Sequence, residues 1–247
     1  MTGSAEQQLE IAVDGLTLSG VLHLPDSPPS AVIVGCHGLM ADKSSPKQVA
    51  LARRCTDAGM AYFRFDHRGC GQSQGDFESQ TTLENRRSDL LAAVRCIEGR
   101  LGSALPKGLF GSSLGGTVCL TAAREISPFA MVTLAAPVQS RNIRMPEDSP
   151  DSLKKELLGN RLCFDVTTQL TSIHHVLIIH GSSDRTVAVH NAHRLYQLAQ
   201  SPKKLLIMEN GDHRISRRSH QEHFMRSSVQ WWLECRRSRF DASRPPS

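Results

Sequence analysis

Two short stretches of the sequence, residues 71–75 and 111–115, carry a serine between glycines, and both match the pattern G-x-S-x-G. In a sharp turn between a strand and a helix, this spacing presents a serine hydroxyl as the nucleophile of an acyl transfer. The pattern alone does not choose between Ser73 and Ser113, because both copies satisfy it. The residues around each serine have to decide which one stands in such a turn.

The surroundings favour Ser113. A strand-like run at 107–110 precedes it, and a helical pattern with small residues at its start follows it at 114–125. The partial positive charge at a helix N-terminus stabilises an alkoxide or an oxyanion at that place. Ser73 is followed by polar residues that do not continue as an apolar helix, and Ser112 is interpreted as the small residue that ends the strand. A phosphate-binding turn is the alternative, but no lysine follows the glycines as that motif requires.

A serine hydroxyl needs a histidine base, which a carboxylate must in turn orient. In serine sites built on a strand-turn-helix, the acid and then the histidine follow the serine along the chain, each in a loop after a strand. Asp184 lies in the polar turn after one strand-like run, and His213 lies in the turn after the last one. The sequence therefore predicts Ser113, His213 and Asp184 as a catalytic triad. Asp212, the neighbour of His213, remains a rival acid.

Two backbone N–H groups are predicted to stabilise the oxyanion that develops during attack. One belongs to Leu114, directly after the serine, and the other to Leu39, in a loop that follows an early strand. Losing one such donor typically lowers the rate about 10²-fold to 10³-fold. His37, in the same loop, is interpreted as a residue that packs and hydrogen-bonds locally.

The elements that must position these residues alternate along the chain. Asp14-Gly15 separates two alternating apolar runs and predicts an antiparallel β-hairpin at the N-terminus. Downstream, apolar runs alternate with helical patterns, which is typical of an α/β fold with a mostly parallel sheet and helices on both faces. The predicted strands are 31–35, 60–65, 107–110, 130–134, 176–180 and 204–208, and the predicted helices are 46–58, 82–99, 114–125, 188–199 and 216–235.

One α/β domain is expected to span residues 1–247, since such domains commonly reach this length. The alternation breaks only at 137–173, a polar stretch with prolines that is interpreted as a small lid, with one short helical pattern at 152–158. Residues 236–247 are expected to form a frayed tail.

Composition excludes several classes of protein. Hydrophobic residues make up 39% and charged residues 21%, close to globular averages and unlike a disordered chain. No stretch approaches the ~18 apolar residues of a membrane span and no export signal is visible, so we expect a cytoplasmic protein without a membrane partner. The net charge of +5 comes from scattered arginine pairs, and only 5% of the residues are aromatic, which disfavours nucleic-acid binding.

Neither a metal nor another cofactor is predicted. The seven cysteines are scattered without C-x-x-C spacing, which favours reduced thiols. His220 and His223 lie three residues apart in the last helical pattern, but no third ligand is in register, so a solvated helix face is the preferred interpretation. The sequence leaves the oligomeric state open.

Together these motifs resemble the α/β-hydrolase fold superfamily, in particular its small single-domain serine esterases, such as cinnamoyl (feruloyl) esterases and relatives of the serine aminopeptidases. The resemblance covers nearly the whole chain. It implies that residues 66–73 form a structural loop, which accounts for the second serine. The sequence departs from the family at the insert, where many relatives carry a longer cap. Five motifs in order carry the resemblance: His37-Gly38 followed by Lys43 and Pro46, Phe65-Asp66-x-Arg68-Gly69-x-Gly71-x-Ser73, the Ser113 turn, His180-Gly-x-x-Asp184, and Gly211-Asp-His213-Arg-Ile-Ser216.

The residues and the resemblance together predict a serine hydrolase that cleaves carboxylic esters of small or medium molecules through an acyl-enzyme. An acyl thioesterase or amide hydrolase with the same triad is the alternative, because members of the superfamily act on other acyl substrates. A noncatalytic binding protein is the alternative from another class, because some members have lost catalysis. The polar composition of the predicted lid favours short or medium acyl or aryl esters, since few apolar side chains could line a deep tunnel.

Overall fold

A computed structural model describes residues 5–144 and 162–242. Within these residues eight strands form one sheet: β1 Ala5–Val13, β2 Leu16–Leu24, β3 Val32–Cys36, β4 Ala61–Phe65, β5 Lys107–Ser112, β6 Ala130–Leu134, β7 Val176–Gly181 and β8 Lys203–Met208. Their order across the sheet is β1-β2-β4-β3-β5-β6-β7-β8. Strand β2 is antiparallel to both β1 and β4, and all the other neighbours are parallel.

Six α-helices lie in the same described residues: α1 Pro46–Asp57, α2 Phe77–Gln80, α3 Leu83–Leu101, α4 Leu114–Ile126, α5 His190–Leu198 and α6 Arg218–Ala242. Two apolar clusters, one on each face of the sheet, hold the long helices in place. Helices α3, α4 and α5 contribute to one cluster, and α1 and α6 contribute to the other. This arrangement confirms the predicted mostly parallel sheet with helices on both faces.

The N-terminal hairpin confirms the reading of Asp14-Gly15 as a tight turn. Asp14 has a φ of 48° and Gly15 a φ of 76°, and Val13 pairs with Leu16 across the turn. Positive φ at both central residues is what a two-residue type I′ turn requires, and its twist matches that of the flanking strands.

The parallel part of the sheet determines where the loops meet. Every residue of Val32–Cys36, Ala61–Phe65 and Ala130–Leu134 is buried, as expected for strands covered on both faces. Because β3, β5, β7 and β8 run in the same direction, the loops that follow them lie at one edge of the sheet. Those loops contain the residues that the sequence singles out for catalysis, and such an edge is where open α/β sheets bind ligands.

Two helices differ clearly from the sequence prediction, and other helix ends differ by one or two residues. The short helix α2 was not predicted; Asp76 caps it by accepting a hydrogen bond from Ser79 N at 2.7 Å. Helix α6 continues to Ala242, so part of the predicted tail at 236–247 is helical. Buried Trp232 anchors the preceding turns, and no glycine or proline interrupts the sequence before Pro245.

The two ends of the predicted lid at 137–173 run side by side. Ser140 N donates to Phe164 O at 2.9 Å, and Val166 N donates to Val138 O at 3.0 Å. These backbone hydrogen bonds join the two ends of the insert to each other. The predicted helical pattern at 152–158 lies outside the described residues.

Candidate active site

Ser113 stands in the turn between β5 and α4 with a positive φ. Its φ of 52° and ψ of −126° are sparsely populated by residues that carry a side chain. The flanking glycines permit this turn, because a Cβ on Gly111 would lie 2.4 Å from Gly115 O and a Cβ on Gly115 would lie 2.5 Å from Cys36 O. The turn therefore holds the serine at the N-terminus of α4.

His213 contacts both Ser113 and Asp184. Its Nε2 lies 3.1 Å from Ser113 Oγ, and its Nδ1 lies 2.7 Å from Asp184 Oδ2. An ionised carboxylate only accepts, so the proton is on Nδ1 and Nε2 is left to accept from the serine hydroxyl. The structure thus brings the three predicted residues into one hydrogen-bonded chain, although 100 positions separate Ser113 from His213.

The Asp184 carboxylate is buried and accepts several hydrogen bonds. Its Oδ1 accepts from the backbone N–H groups of Thr186 and Val187, both at 2.8 Å. Burial by itself disfavours the charged form, but hydrogen bonds from His180, His213 and Val187 outweigh it and hold the pKa of Asp184 well below its usual range. The carboxylate is therefore ionised wherever His213 can act as a base.

The loop after β3 lies against the serine turn. A Cβ on Gly38 would lie 3.4 Å from Ser113 Cβ, and His37 Nδ1 donates to Gly38 O at 2.8 Å. Because a trans peptide points its C=O and N–H in opposite directions, the N–H of Leu39 points away from His37. Leu114 is the first residue of α4, where backbone N–H groups have no partner within the helix. The two predicted oxyanion donors thus belong to adjacent segments.

The rival residues have other partners. Ser73 Oγ donates to Asp66 O at 2.7 Å and accepts from Ser19 N at 2.9 Å, so this serine ties its loop to β2. Asp212 accepts from the N–H and the hydroxyl of Ser216, at 2.7 and 2.6 Å. Neither contact involves His213.

Two further buried side chains lie at this site: Arg86, which sequence reasoning did not single out, and His180, which it named only as part of the motif His180-Gly-x-x-Asp184 and without a role. Arg86, only 1% exposed, points its guanidinium at Gly38 O and Leu39 O, at 3.4 and 3.3 Å. His180 Nε2 lies 3.1 Å from Asp184 Oδ2. An arginine in a helix usually indicates a solvated face, so no local signal marked Arg86. The spacing of four residues between His180 and Asp184 was a usable signal, because a strand end and the turn after it lie close together.

A small apolar cluster lies beside the serine turn and includes the side chains of the two residues whose N–H groups are the predicted oxyanion donors. Leu162, at the end of the insert, is fully buried in it. Its members are Leu39, Leu114 and Leu162, with Phe77, Leu83 and Phe164 packed against them.

Metal-ligating side chains are not clustered in this part of the molecule. In residues 5–144 and 162–242, no group of three or more His, Cys, Asp or Glu side chains could hold a metal ion. Among the helices that the structure describes, none is long and apolar enough to span a bilayer.

Comparisons with known proteins identify a family and several relatives of this chain. A family model described as serine aminopeptidase, S33, matches residues 27–161. The protein YfhR of Salmonella typhimurium is 27% identical over 194 residues, which cover 74% of this chain and 64% of YfhR. The chain therefore spans less than two thirds of that relative's length. The palmitoyl-protein thioesterase ABHD10 of Bos taurus is 25% identical over 218 residues, which cover 76% of this chain and 68% of ABHD10.

Solved structures show the same architecture. Est1E from Butyrivibrio proteoclasticus, with ferulic acid bound, superposes with a TM-score of 0.74 at 22% identity. The match covers 92% of this chain and 98% of Est1E. At this identity the similarity shows a shared α/β-hydrolase fold.

Proposed function

We propose that this chain, which belongs to the serine aminopeptidase S33 family of α/β hydrolases, is a serine hydrolase that cleaves carboxylic esters of small or medium molecules. One observation carries the proposal: Ser113 Oγ, the imidazole of His213 and the carboxylate of Asp184 form a continuous chain of hydrogen bonds at 3.1 and 2.7 Å. The positive φ of Ser113 supports it, because strain of this kind is typical of a functional turn.

In the proposed mechanism, His213 Nε2 takes the proton of Ser113 Oγ while Oγ attacks the ester carbonyl. The backbone N–H groups of Leu39 and Leu114 stabilise the negative charge on the tetrahedral oxygen. As the intermediate collapses, the new imidazolium gives its proton to the departing alcohol, and an acyl-enzyme remains. Water then attacks the acyl group with His213 again as the base, and the carboxylic acid and the serine hydroxyl are released. Asp184 stays ionised throughout and orients the imidazole.

The choice of esters is supported by the apolar cluster beside the serine turn and by the relatives. The apolar cluster around Leu162 suits a short acyl chain or an aromatic ring, and Est1E has ferulic acid bound. The name of the palmitoyl-protein thioesterase ABHD10 favours one alternative, an acyl thioesterase with the same three residues, while an amide hydrolase fits the name of the serine aminopeptidase family. No metal or cofactor takes part in the proposed steps. The proposal also includes a cytoplasmic location, which the seven free thiols support.

Covalent labelling tests the nucleophile directly. A fluorophosphonate should modify Ser113 alone, because among the residues that the structure describes only this hydroxyl contacts a histidine base and stands at a helix N-terminus. Peptide mass spectrometry locates the adduct. Ser113→Ala should abolish both labelling and turnover, whereas the matched control Ser112→Ala should keep both. An adduct on Ser73 or Ser112 would contradict the assignment, and no adduct at all would favour the noncatalytic binding protein.

A substrate panel then separates esterase from thioesterase. We expect kcat/KM for p-nitrophenyl esters to peak at short or medium acyl chains and to exceed kcat/KM for the matching acyl thioesters. Each buried methylene contributes about 0.8 kcal/mol, so a deep tunnel would instead give a steady rise with chain length. A continued rise to palmitate would favour a lipase or a long-chain thioesterase.

A further inference from the structure

The buried imidazole of His180 lies directly behind the proposed catalytic acid. His180 is in β7, one residue before the strand ends, and its side chain is 1% exposed. Its Nε2 lies 2.8 Å from Val187 O and 3.1 Å from Asp184 Oδ2. The His180 ring therefore contacts both ends of the loop from Asp184 to Val187.

The two contacts determine which ring nitrogen carries the proton. A carbonyl oxygen and an ionised carboxylate both only accept, so Nε2 of His180 must be the protonated nitrogen. Its single N–H donates to Val187 O at 2.8 Å, and Asp184 Oδ2 lies 3.1 Å from the same nitrogen. The other nitrogen, Nδ1, is buried and has no hydrogen-bond partner among the described residues. The polar interactions of this side chain are thus concentrated on the acid and its loop.

With His180 included, each oxygen of Asp184 has two nitrogen atoms close to it. Oδ1 accepts from the N–H groups of Thr186 and Val187, and Oδ2 faces the imidazole nitrogens of His213 and His180. Rotation of the carboxylate would break contacts on both oxygens at once. The imidazole nitrogens of His213 and His180 both approach Oδ2, so both rings interact with the negative charge on this oxygen.

We propose that His180 is a positioning residue for the catalytic acid: its Nε2–H holds Asp184 Oδ2 in line with His213 Nδ1 and ties the loop after β7 to the strand. The proposal rests on the function proposed above, since it assigns a role within the same site. His180 touches neither the substrate nor the serine. It acts through Asp184 alone.

The proposal has an electrostatic consequence with a definite sign. A donor to Oδ2 withdraws charge from the oxygen that faces His213, so removing it concentrates negative charge beside the imidazole. More negative charge stabilises the protonated form of His213. Loss of the His180 donor should therefore lower the rate, because the acid is less well held, and also move the acid limb of the pH–rate profile to higher pH.

The loop keeps other supports, so variants at His180 are expected to fold. Arg144 N donates to Thr186 O at 2.7 Å, and Ile143 forms a bridge with Val187. These contacts hold the loop from the side of the insert and do not involve His180.

Three variants test the proposal. His180→Met fills a similar volume without a donor, and should lower kcat/KM about 10-fold to 100-fold, by analogy with the loss of a residue that orients a metal ligand. Its acid limb should move to higher pH. His180→Gln places an amide N–H near the position of Nε2, and should retain most of the rate and the original profile. His23→Gln, at another buried histidine, is the control for a general loss of stability and should keep the wild-type rate.

Nuclear magnetic resonance of the proton on His213 Nδ1 provides a readout that does not depend on turnover. In His180→Met this proton should move downfield, because Asp184 becomes a stronger acceptor. A shift without any hydrolysis by the wild type would support the contact and reject the proposed function.

Two results would overturn the role of His180: a wild-type rate and acid limb in His180→Met, or an equal loss in the Gln and Met variants. If His180→Met does not fold, His180→Asn replaces it, since the shorter amide does not reach Asp184. In that case Asn must lose the rate that Gln keeps, and equal rates would reject the proposal.

Discussion

Two carboxylates, those of Asp184 and Asp212, are candidates for orienting the imidazole of His213. Asp184 Oδ2 lies 2.7 Å from His213 Nδ1, whereas both oxygens of Asp212 are used by Ser216. Asp184→Asn leaves an amide that cannot serve as the charged acceptor, so the imidazole loses its orientation. We expect kcat to fall by up to about 10⁴, the loss known for the same change in a serine protease triad.

The matched control at the residue scale is Asp212→Asn. It disturbs one exposed turn and should change kcat little, since no contact joins Asp212 to the imidazole. Steady-state kinetics on a short p-nitrophenyl ester measures both variants. A larger loss from Asp212→Asn than from Asp184→Asn would show that the other aspartate orients the base.

At the scale of the element, the candidate site depends on the close packing of helix α4 against the loop after β3. Gly115 is in the first turn of α4, and a Cβ there would lie 2.5 Å from the carbonyl oxygens of Cys36 and His37. Gly115→Ala must push the helix and the loop apart, which separates the two oxyanion donors. We expect kcat to fall at least about 10²-fold and the free energy of unfolding to fall by about 1–3 kcal/mol.

Gly99→Ala is the matched control for this helix substitution. Gly99 is in α3, and a Cβ there would meet nothing within 4 Å. Alanine favours a helix over glycine, so this variant should be more stable by up to about 1 kcal/mol and equally active. Urea unfolding and ester kinetics check both variants, and an unaffected Gly115→Ala would refute the close packing.

At the scale of the whole molecule, buried histidines make the fold sensitive to acid. Burial, as the main cause, lowers the pKa of His23 and that of His67 to about 4. In the unfolded chain each histidine takes up a proton near pH 6.5, whereas in the folded protein these two histidines stay neutral until the pH is close to 4. The contribution of each neutral histidine to the free energy of unfolding is therefore fully present above pH 6.5. It is lost as the pH falls toward 4, by up to about 3 kcal/mol for each group.

His23→Gln should reduce this acid sensitivity. His23 Nε2 accepts a hydrogen bond from Arg64 Nε at 2.8 Å, and a glutamine oxygen can accept the same bond without titrating. The free energy of unfolding, measured in urea from pH 7 to pH 4, should fall less steeply than in the wild type. The exposed control His193→Gln should leave the slope unchanged, and an unchanged slope in His23→Gln would count against a neutral buried imidazole.

The sequence by itself determined the alternation of strands and helices, because each signal is local. A buried parallel strand must be apolar throughout, as in Ala130–Leu134, and a two-residue hairpin needs residues that tolerate positive φ, as at Asp14-Gly15. Local context also separated Ser113 from Ser73, since only one of them lies between a strand and an apolar helix. The roles proposed for Ser113, Asp184 and His213 remain predictions, although the structure places these residues within hydrogen-bond distance.

Only the tertiary structure decided which side chains surround those three residues. Arg86 reaches the carbonyl oxygen of Gly38 from a helix 48 positions away in sequence, and sequence patterns carry no information about side-chain direction across such a distance. His180 is only four residues from Asp184, but the spacing alone does not show which way its ring points. Partners such as Ser216 for Asp212, and Ser19 for Ser73, depend likewise on how the loops fold back. Periodicity records whether a residue is buried, whereas a hydrogen bond depends on distance and angle, which exist only once the sheet has brought its loops together.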